Sequence, residues 1–87
     1  MTKAEIFTTA ACAYCVAAKN FMNNKGIAYD EVRVDTDPAQ REAMLARSGG
    51  RRTVPQIFIN GVHIGGYDDL VAADRSGRLA EVVGAAP

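Results

Sequence analysis

Apolar and polar positions alternate between a strand-like and a helix-like period along the chain. Glu5-Ile6-Phe7-Thr8 is a short β-prone run and predicts a strand. From Ala13 to about Lys25 the chain is rich in alanine, carries Val16, Phe21 and Met22, and lacks Gly and Pro. That stretch predicts a helix ended by Gly26, with Lys25 in its last turn. Tyr29 to Val34 alternates and predicts a second strand, stopping at Asp35-Thr36-Asp37-Pro38. Asp37 suits an N-cap, Pro38 the first helical position and Gln40 the capping-box position, so a second helix runs through Met44 and Leu45 to Gly49-Gly50. Gln56-Ile57-Phe58-Ile59 and Val62-His63-Ile64 flank Asn60-Gly61, the strongest short-range signal for a hairpin. Gly65-Gly66 closes it. Asp68 or Asp69 is placed to cap a helix near Leu70–Ala73 that ends at Ser76-Gly77, and Arg78 to Val83 predicts one last short helix.

The order β-α-β-α-β-β-α describes an α/β domain. The first two strands are joined by a helical crossover and should be parallel and right-handed. The last two form an antiparallel hairpin, which gives a small four-stranded mixed sheet flanked by helices. Phe7, Phe21, Val32, Ile57 and Ile59 are the candidate core, with Tyr29 in the core or at its rim. At 87 residues, of which 48% are hydrophobic, residues 1–87 form a single domain that needs no metal or disulfide staple. Ten basic and ten acidic residues cancel without any run of one sign, and the Arg51–Arg52 pair is too short to form a phosphate-binding patch, so nucleic acid is not the expected partner. No apolar signal-peptide core follows Met1-Thr2-Lys3-Ala4-Glu5, and no stretch approaches a membrane span; a cytoplasmic protein without a membrane partner is expected.

Only two cysteines occur, Cys12 and Cys15. They close too small a loop to constrain the unfolded chain, and in a reducing compartment such a pair is catalytic sooner than structural. A Cys-x-x-Cys between a strand and a helix has a specific chemical use. The thiolate is the nucleophile of disulfide exchange, and the unsatisfied N–H groups of a helix start favour it. Cys12 falls at that start and is assigned as nucleophile. Cys15, a turn further on the same face, is the resolving thiol. Zinc would need about four ligands, against two cysteines and the distant His63. His63 sits on the hairpin without an acidic neighbour close in sequence and is read as structural or exposed.

Two further segments carry open alternatives. Pro55 in Thr53-Val54-Pro55 is either an ordinary strand-start proline or a cis proline. Gly65-Gly66-Tyr67-Asp68-Asp69 is either a plain capped helix or a turn offering N–H groups to a carboxylate, with Asp68 meeting an amine.

Cys12-Ala13-Tyr14-Cys15, Thr53-Val54-Pro55-Gln56-Ile57-Phe58-Ile59 and Ile64-Gly65-Gly66-Tyr67-Asp68-Asp69-Leu70 occur in this order, and with them the chain resembles a short bacterial dithiol glutaredoxin from Glu5 to about Leu79. The resemblance implies a thioredoxin-like fold, a cis Pro55 facing the active site and a glutathione groove. In that groove Val54 pairs its backbone with the cysteinyl part of glutathione, while Gly66, Tyr67 and Asp68 lie at the γ-glutamyl end. Tyr14 and Thr53 line the site, and Arg41 is the position-matched candidate for the glycyl carboxylate. Two departures stand out. Ala13 replaces a proline found in many members, and the stretch Thr8-Thr9-Ala10-Ala11 lacks their upstream lysine, Thr9 being its match; Arg52 or Lys19 could substitute for that charge.

The implied activity is glutathione-dependent reduction of protein disulfides and of protein–glutathione mixed disulfides, by a monomer with glutathione as co-substrate and no tightly bound cofactor. Its partners are disulfide-bonded or glutathionylated proteins, ribonucleotide reductase being a family possibility. The alternative is a dimer holding a [2Fe-2S] cluster through Cys12 of each chain and two glutathiones, acting as cluster carrier or sensor. Its prompt is Ala13, since loss of the proline is similar to what cluster-binding dithiol relatives show. A third reading is a thioredoxin-like carrier reduced by a flavoprotein reductase.

Overall fold

The structure, a computed structural model, describes residues 2–84; residues 1 and 85–87, which the single-domain expectation also spans, lie outside it. Eight elements follow in order: β1 (Ala4–Thr8), α1 (Ala13–Asn24), β2 (Tyr29–Arg33), α2 (Pro38–Arg47), β3 (Gln56–Ile59), β4 (Val62–Gly65), α3 (Tyr67–Ser76) and α4 (Arg78–Gly84). They build the mixed four-stranded sheet and flanking helices that the pattern predicts. Its strand order is β2-β1-β3-β4, with β1 parallel to β2 and antiparallel to β3, and β3 antiparallel to β4.

Strand side chains alternate between two apolar layers. Ala4, Ile6, Ile57 and Ile59 face Ala18 and Met22 of α1, Leu70 and Ala73 of α3, and Leu79 and Val82 of α4. Phe7 and Phe58 face the other way and pack with Val34 and Met44, so α2 covers that side alone. Phe21 and Tyr29 are half-buried against the first layer and Val32 against the second. Arg47 closes the α2 side: its guanidinium lies 4.3 Å from the Phe58 ring and donates to both Glu5 carboxylate oxygens at 2.9 and 3.0 Å. That pairing holds the Glu5 carboxyl below the usual carboxylate range.

Local signals set most boundaries. Asp37 caps α2 by accepting the Ala39 N–H at 3.1 Å, with Pro38 at the first position. The Asn60-Gly61 turn has both residues at positive φ, 52° and 81°, as the twist of a two-residue hairpin requires. Lys25 caps the end of α1 and its ammonium pairs with Asp74 of α3 at 3.0 Å. The start of α3 differs from expectation. Gly66, neither Asp68 nor Asp69, is the N-cap, and the helix begins at Tyr67. Asp69 sits three residues in and reaches back, accepting the Gly66 N–H at 2.9 Å. No helix among the described residues is long and apolar enough to cross a membrane.

Met44 is the one α2 side chain that is fully buried, at 0% exposure. Met44→Ala is expected to cost about 2–5 kcal/mol in urea unfolding, whereas Val16→Ala, on a half-exposed residue, stays within about 0.5 kcal/mol of the parent.

Candidate active site

The site is assembled where the first turn of α1, the segment before β3 and the first turn of α3 meet. Cys12 is the N-cap of α1, in extended backbone (φ −138°, ψ 104°). Its Sγ accepts the Cys15 N–H at 3.1 Å, so the sulfur occupies the place that a Ser or Asp side chain takes in an ordinary cap. Cys12 and Cys15 form a disulfide, with their Cα atoms 5.2 Å apart. Their surroundings differ. Cys15 is 1% exposed beneath the helix, while Cys12 is partly open to solvent.

The loop before Cys12 is anchored from β2. The Ala10 N–H donates to Asp35 at 3.1 Å, and Arg33 grips the same carboxylate through Nε and a terminal nitrogen at 2.8 and 2.7 Å. The Arg33 hydrogen bonds, then the Ala10 N–H, bring the Asp35 carboxyl down to about 2.

Opposite Cys12 runs Thr53-Val54-Pro55. The Val54 carbonyl oxygen lies 3.8 Å from the Cys12 Sγ, and the Val54–Pro55 peptide is cis. Behind this segment Gly65 has φ +115° and no room for a side chain: a Cβ there would meet the Asp69 side-chain carbons at 2.7 and 2.9 Å. The α3 N-terminus therefore sits tight against the sheet, and Tyr67 is held between Phe21, edge-on at 6.5 Å, and Tyr14 at 6.2 Å.

Tyr14, Thr53, Val54, Pro55, Gly66, Tyr67 and Asp68 all line one open cleft beside Cys12. Arg41 is exposed on α2 and is not among the residues lining it. Two lining residues were missed from sequence. Asp69 enters the sequence reading as a cap and as part of the Gly65–Asp69 turn, without a site role of its own. Arg51 was weighed only as part of a charge pair; its place two residues before Thr53 was the available signal. Its guanidinium nitrogens lie 3.4 Å from one Asp69 oxygen, and both side chains are exposed. Of the substitute cations, Lys19 is engaged by Glu31 at 3.0 Å, and Arg52 is exposed. Glu31 also accepts the hydroxyl of buried Thr8 at 2.7 Å, and that bond, then Lys19, keeps its carboxyl below the usual range. His63 is half-buried, stacks on Phe58 at 4.8 Å and meets the Gln56 amide; burial, then Arg51, pulls its imidazole below the usual value.

A redox dithiol whose outer sulfur caps a helix beside a cleft, on this sheet, defines a thiol–disulfide exchange protein of thioredoxin-like fold. Comparison with known proteins narrows the class. The family model for glutaredoxin matches residues 4–64. The chain is 49% identical over 79 residues to glutaredoxin 3 of Escherichia coli K12, covering 91% of this chain and 94% of that protein. Among solved structures, the buckwheat glutaredoxin–glutathione complex superposes with a TM-score of 0.83 at 32% identity, covering 99% of this chain and 83% of that one. The glutaredoxin from Brucella melitensis gives a TM-score of 0.79 at 41% identity, with 93% and 87% covered. The chain belongs to the glutaredoxin family of thiol–disulfide oxidoreductases, which use glutathione as co-substrate.

Two outcomes follow from this geometry. After reduction, brief iodoacetamide treatment at neutral pH should label Cys12 and spare Cys15 by mass spectrometry; equal labelling would contradict the burial asymmetry. The second concerns acid. Because the folded Asp35 carboxyl is depressed from 3.8 to about 2, the stability it contributes is complete above pH 3.8 and is lost as pH falls through 2. Asp35→Asn should flatten that part of the stability–pH curve in acid denaturation followed by circular dichroism.

Proposed function

We propose that this chain reduces protein–glutathione mixed disulfides and protein disulfides at the expense of glutathione, with Cys12 as nucleophile and Cys15 as resolving thiol. The observation that carries the reading is the partly exposed Cys12 sulfur on the first turn of α1, 3.8 Å from the Val54 carbonyl at the edge of the cleft. The cleft suits a tripeptide thiol. Val54 presents backbone to the cysteinyl unit, whose sulfur then lies against Cys12. The N–H groups opening α3 receive the α-carboxylate of the γ-glutamyl unit, and Asp68 receives its ammonium. Tyr14 and Tyr67 flank it. The glycyl carboxylate needs a cation, and Arg51 lies nearer the cleft than Arg41 does, since it lines the wall. The complexed buckwheat relative supports glutathione as the occupant.

In the first reaction the Cys12 thiolate attacks the glutathione sulfur of the mixed disulfide. The protein thiolate leaves and takes a proton. A second glutathione thiolate attacks the Cys12–glutathione bond, releasing oxidised glutathione and restoring the Cys12 thiolate. In the second reaction Cys12 attacks a protein disulfide and one substrate thiolate leaves. Cys15, once deprotonated, attacks the Cys12 sulfur, expels the other substrate thiolate and closes the Cys12–Cys15 disulfide, which two glutathiones reduce. Burial of Cys15 restricts it to this intramolecular step.

The cluster alternative has no observation of its own to favour it. Among the described residues no group of three or more His, Cys, Asp or Glu is placed to hold a metal, so a cluster would draw further ligands from outside the chain.

Cys12→Ser should abolish both reactions. Cys15→Ser should retain turnover of a glutathionylated protein and lose reduction of an intramolecular protein disulfide, read by coupled NADPH consumption with glutathione and glutathione reductase. Loss of both in Cys15→Ser would refute the assigned roles, and an absence of turnover with glutathione in the parent protein would refute the reductant.

A further inference from the structure

Gln56 is the first residue of β3 and is completely buried, at 0% exposure, although it is polar. Burying an amide is costly unless all of its groups are bonded, so its partners are informative. Its Nε2 donates to the Thr53 carbonyl oxygen at 2.9 Å and approaches the Thr53 hydroxyl at 3.2 Å. A backbone carbonyl only accepts, so the nitrogen end is fixed toward Thr53 and the oxygen end faces the other way. There it meets the His63 Nε2 at 2.7 Å. With an acceptor in front of it, that ring nitrogen carries the hydrogen. His63 is itself immobilised by stacking on Phe58, the residue opposite it in the β3–β4 ladder. The chain of contacts therefore runs from the sheet through a clamped imidazole and a buried amide to the carbonyl of Thr53.

That carbonyl belongs to the peptide leading into Val54, and Val54 is the residue whose own carbonyl oxygen lies 3.8 Å from the Cys12 sulfur. Thr53 is exposed and has no place in the sheet ladder, so Gln56 is what ties it to the interior. Nothing in thiol–disulfide chemistry uses Gln56 or His63 directly, because neither lines the cleft.

We propose that Gln56, oriented by His63, is a positioning residue for the Thr53–Val54 edge, setting the presentation of that backbone to the substrate disulfide. The catalytic part of this inference rests on the glutathione reading above. The preset geometry of the edge does not.

The test compares Gln56→Leu and His63→Phe with the parent protein. Gln56→Leu removes both ends of the link. His63→Phe keeps a ring stacked on Phe58 and removes only the donor that orients the amide. Turnover of a glutathionylated peptide is measured against its concentration. Amide resonances of Thr53 and Val54 are followed by NMR in the reduced protein without ligand. Loss of one such hydrogen bond should raise KM about three- to tenfold in Gln56→Leu and by less in His63→Phe, with kcat per folded molecule nearly unchanged. The Thr53 and Val54 resonances should shift or broaden in both. A purely structural residue would instead lower the folded fraction and leave KM alone. Unchanged KM in both variants, or a Val54 resonance indistinguishable from the parent's, would overturn the inference. If Gln56→Leu does not fold, His63→Phe alone decides. If the parent itself turns over no glutathionylated peptide, the glutathione reading fails, and the ligand-free resonances still decide whether Gln56 sets the edge.

Discussion

The first turn of α1 begins with N–H groups that no residue of the helix can satisfy, and one of them is taken by sulfur. Ser, Thr, Asp or Asn at residue 12 would cap the helix better than cysteine. The chain therefore gives up some helix stability to put a sulfur at the focus of the helix dipole. The direction of the effect on chemistry is clear. A thiolate accepts a charge-assisted bond from the Cys15 N–H, and such bonds are about twice as strong as neutral ones. A disulfide sulfur accepts only weakly. The same amide is thus a stronger partner for a thiolate at residue 12 than for the disulfide sulfur.

The rest of the fold serves to bring two other backbone ends up to that sulfur. β1 leads into the Cys12 loop and is one of the two interior strands, largely buried, so the loop is launched from the inside of the sheet. β3 pairs with β1, which carries the Thr53–Pro55 segment to the same end of the sheet. The hairpin then returns the chain through Gly65 to α3, whose open N–H groups face the same cleft. Three chain segments far apart in sequence meet here because of strand order. The elements bring backbone donors and acceptors to one cleft, the feature on which the proposed docking of a tripeptide rests.

Much of this was legible locally. Asn60-Gly61, Asp37-Pro38 and Gly26 each mark a backbone conformation that few other residues tolerate, and all three predict boundaries that the structure has. The dithiol was visible from spacing alone. What could not be read were pairings over distance. The position of β1 between β2 and β3 depends on which faces are buried, and a five-residue strand shows too little pattern to reveal it. The cap of α3 differs from expectation because an aspartate is the better cap by side chain, whereas here Asp69 lies three residues inside the helix and turns back onto the Gly66 N–H, leaving Gly66 as the cap. For Arg51 the one local mark is its place two residues before Thr53, and its nearness to the cleft comes from the fold of the segment before β3.

The same view explains how the site manages without a lysine ahead of Cys12. Thr9 stands in that place, and the neighbouring Ala10 N–H is committed to Asp35. Lys19 faces Glu31, and Arg51 faces Asp69, so each of these cations has an anion of its own. Their fields partly cancel at the distance of the sulfur, and an exposed pair is further weakened by salt. The helix amides differ, because one of them touches the sulfur at 3.1 Å and has no opposing charge beside it. Ala13 adds to this end of the helix an N–H that a proline would lack. The upstream loop Thr8-Thr9-Ala10-Ala11 carries no charged side chain. On the proposed role of Cys12, the contact that reaches its sulfur is a backbone amide of α1, and the Asp35–Ala10 hydrogen bond fixes the loop that enters that helix.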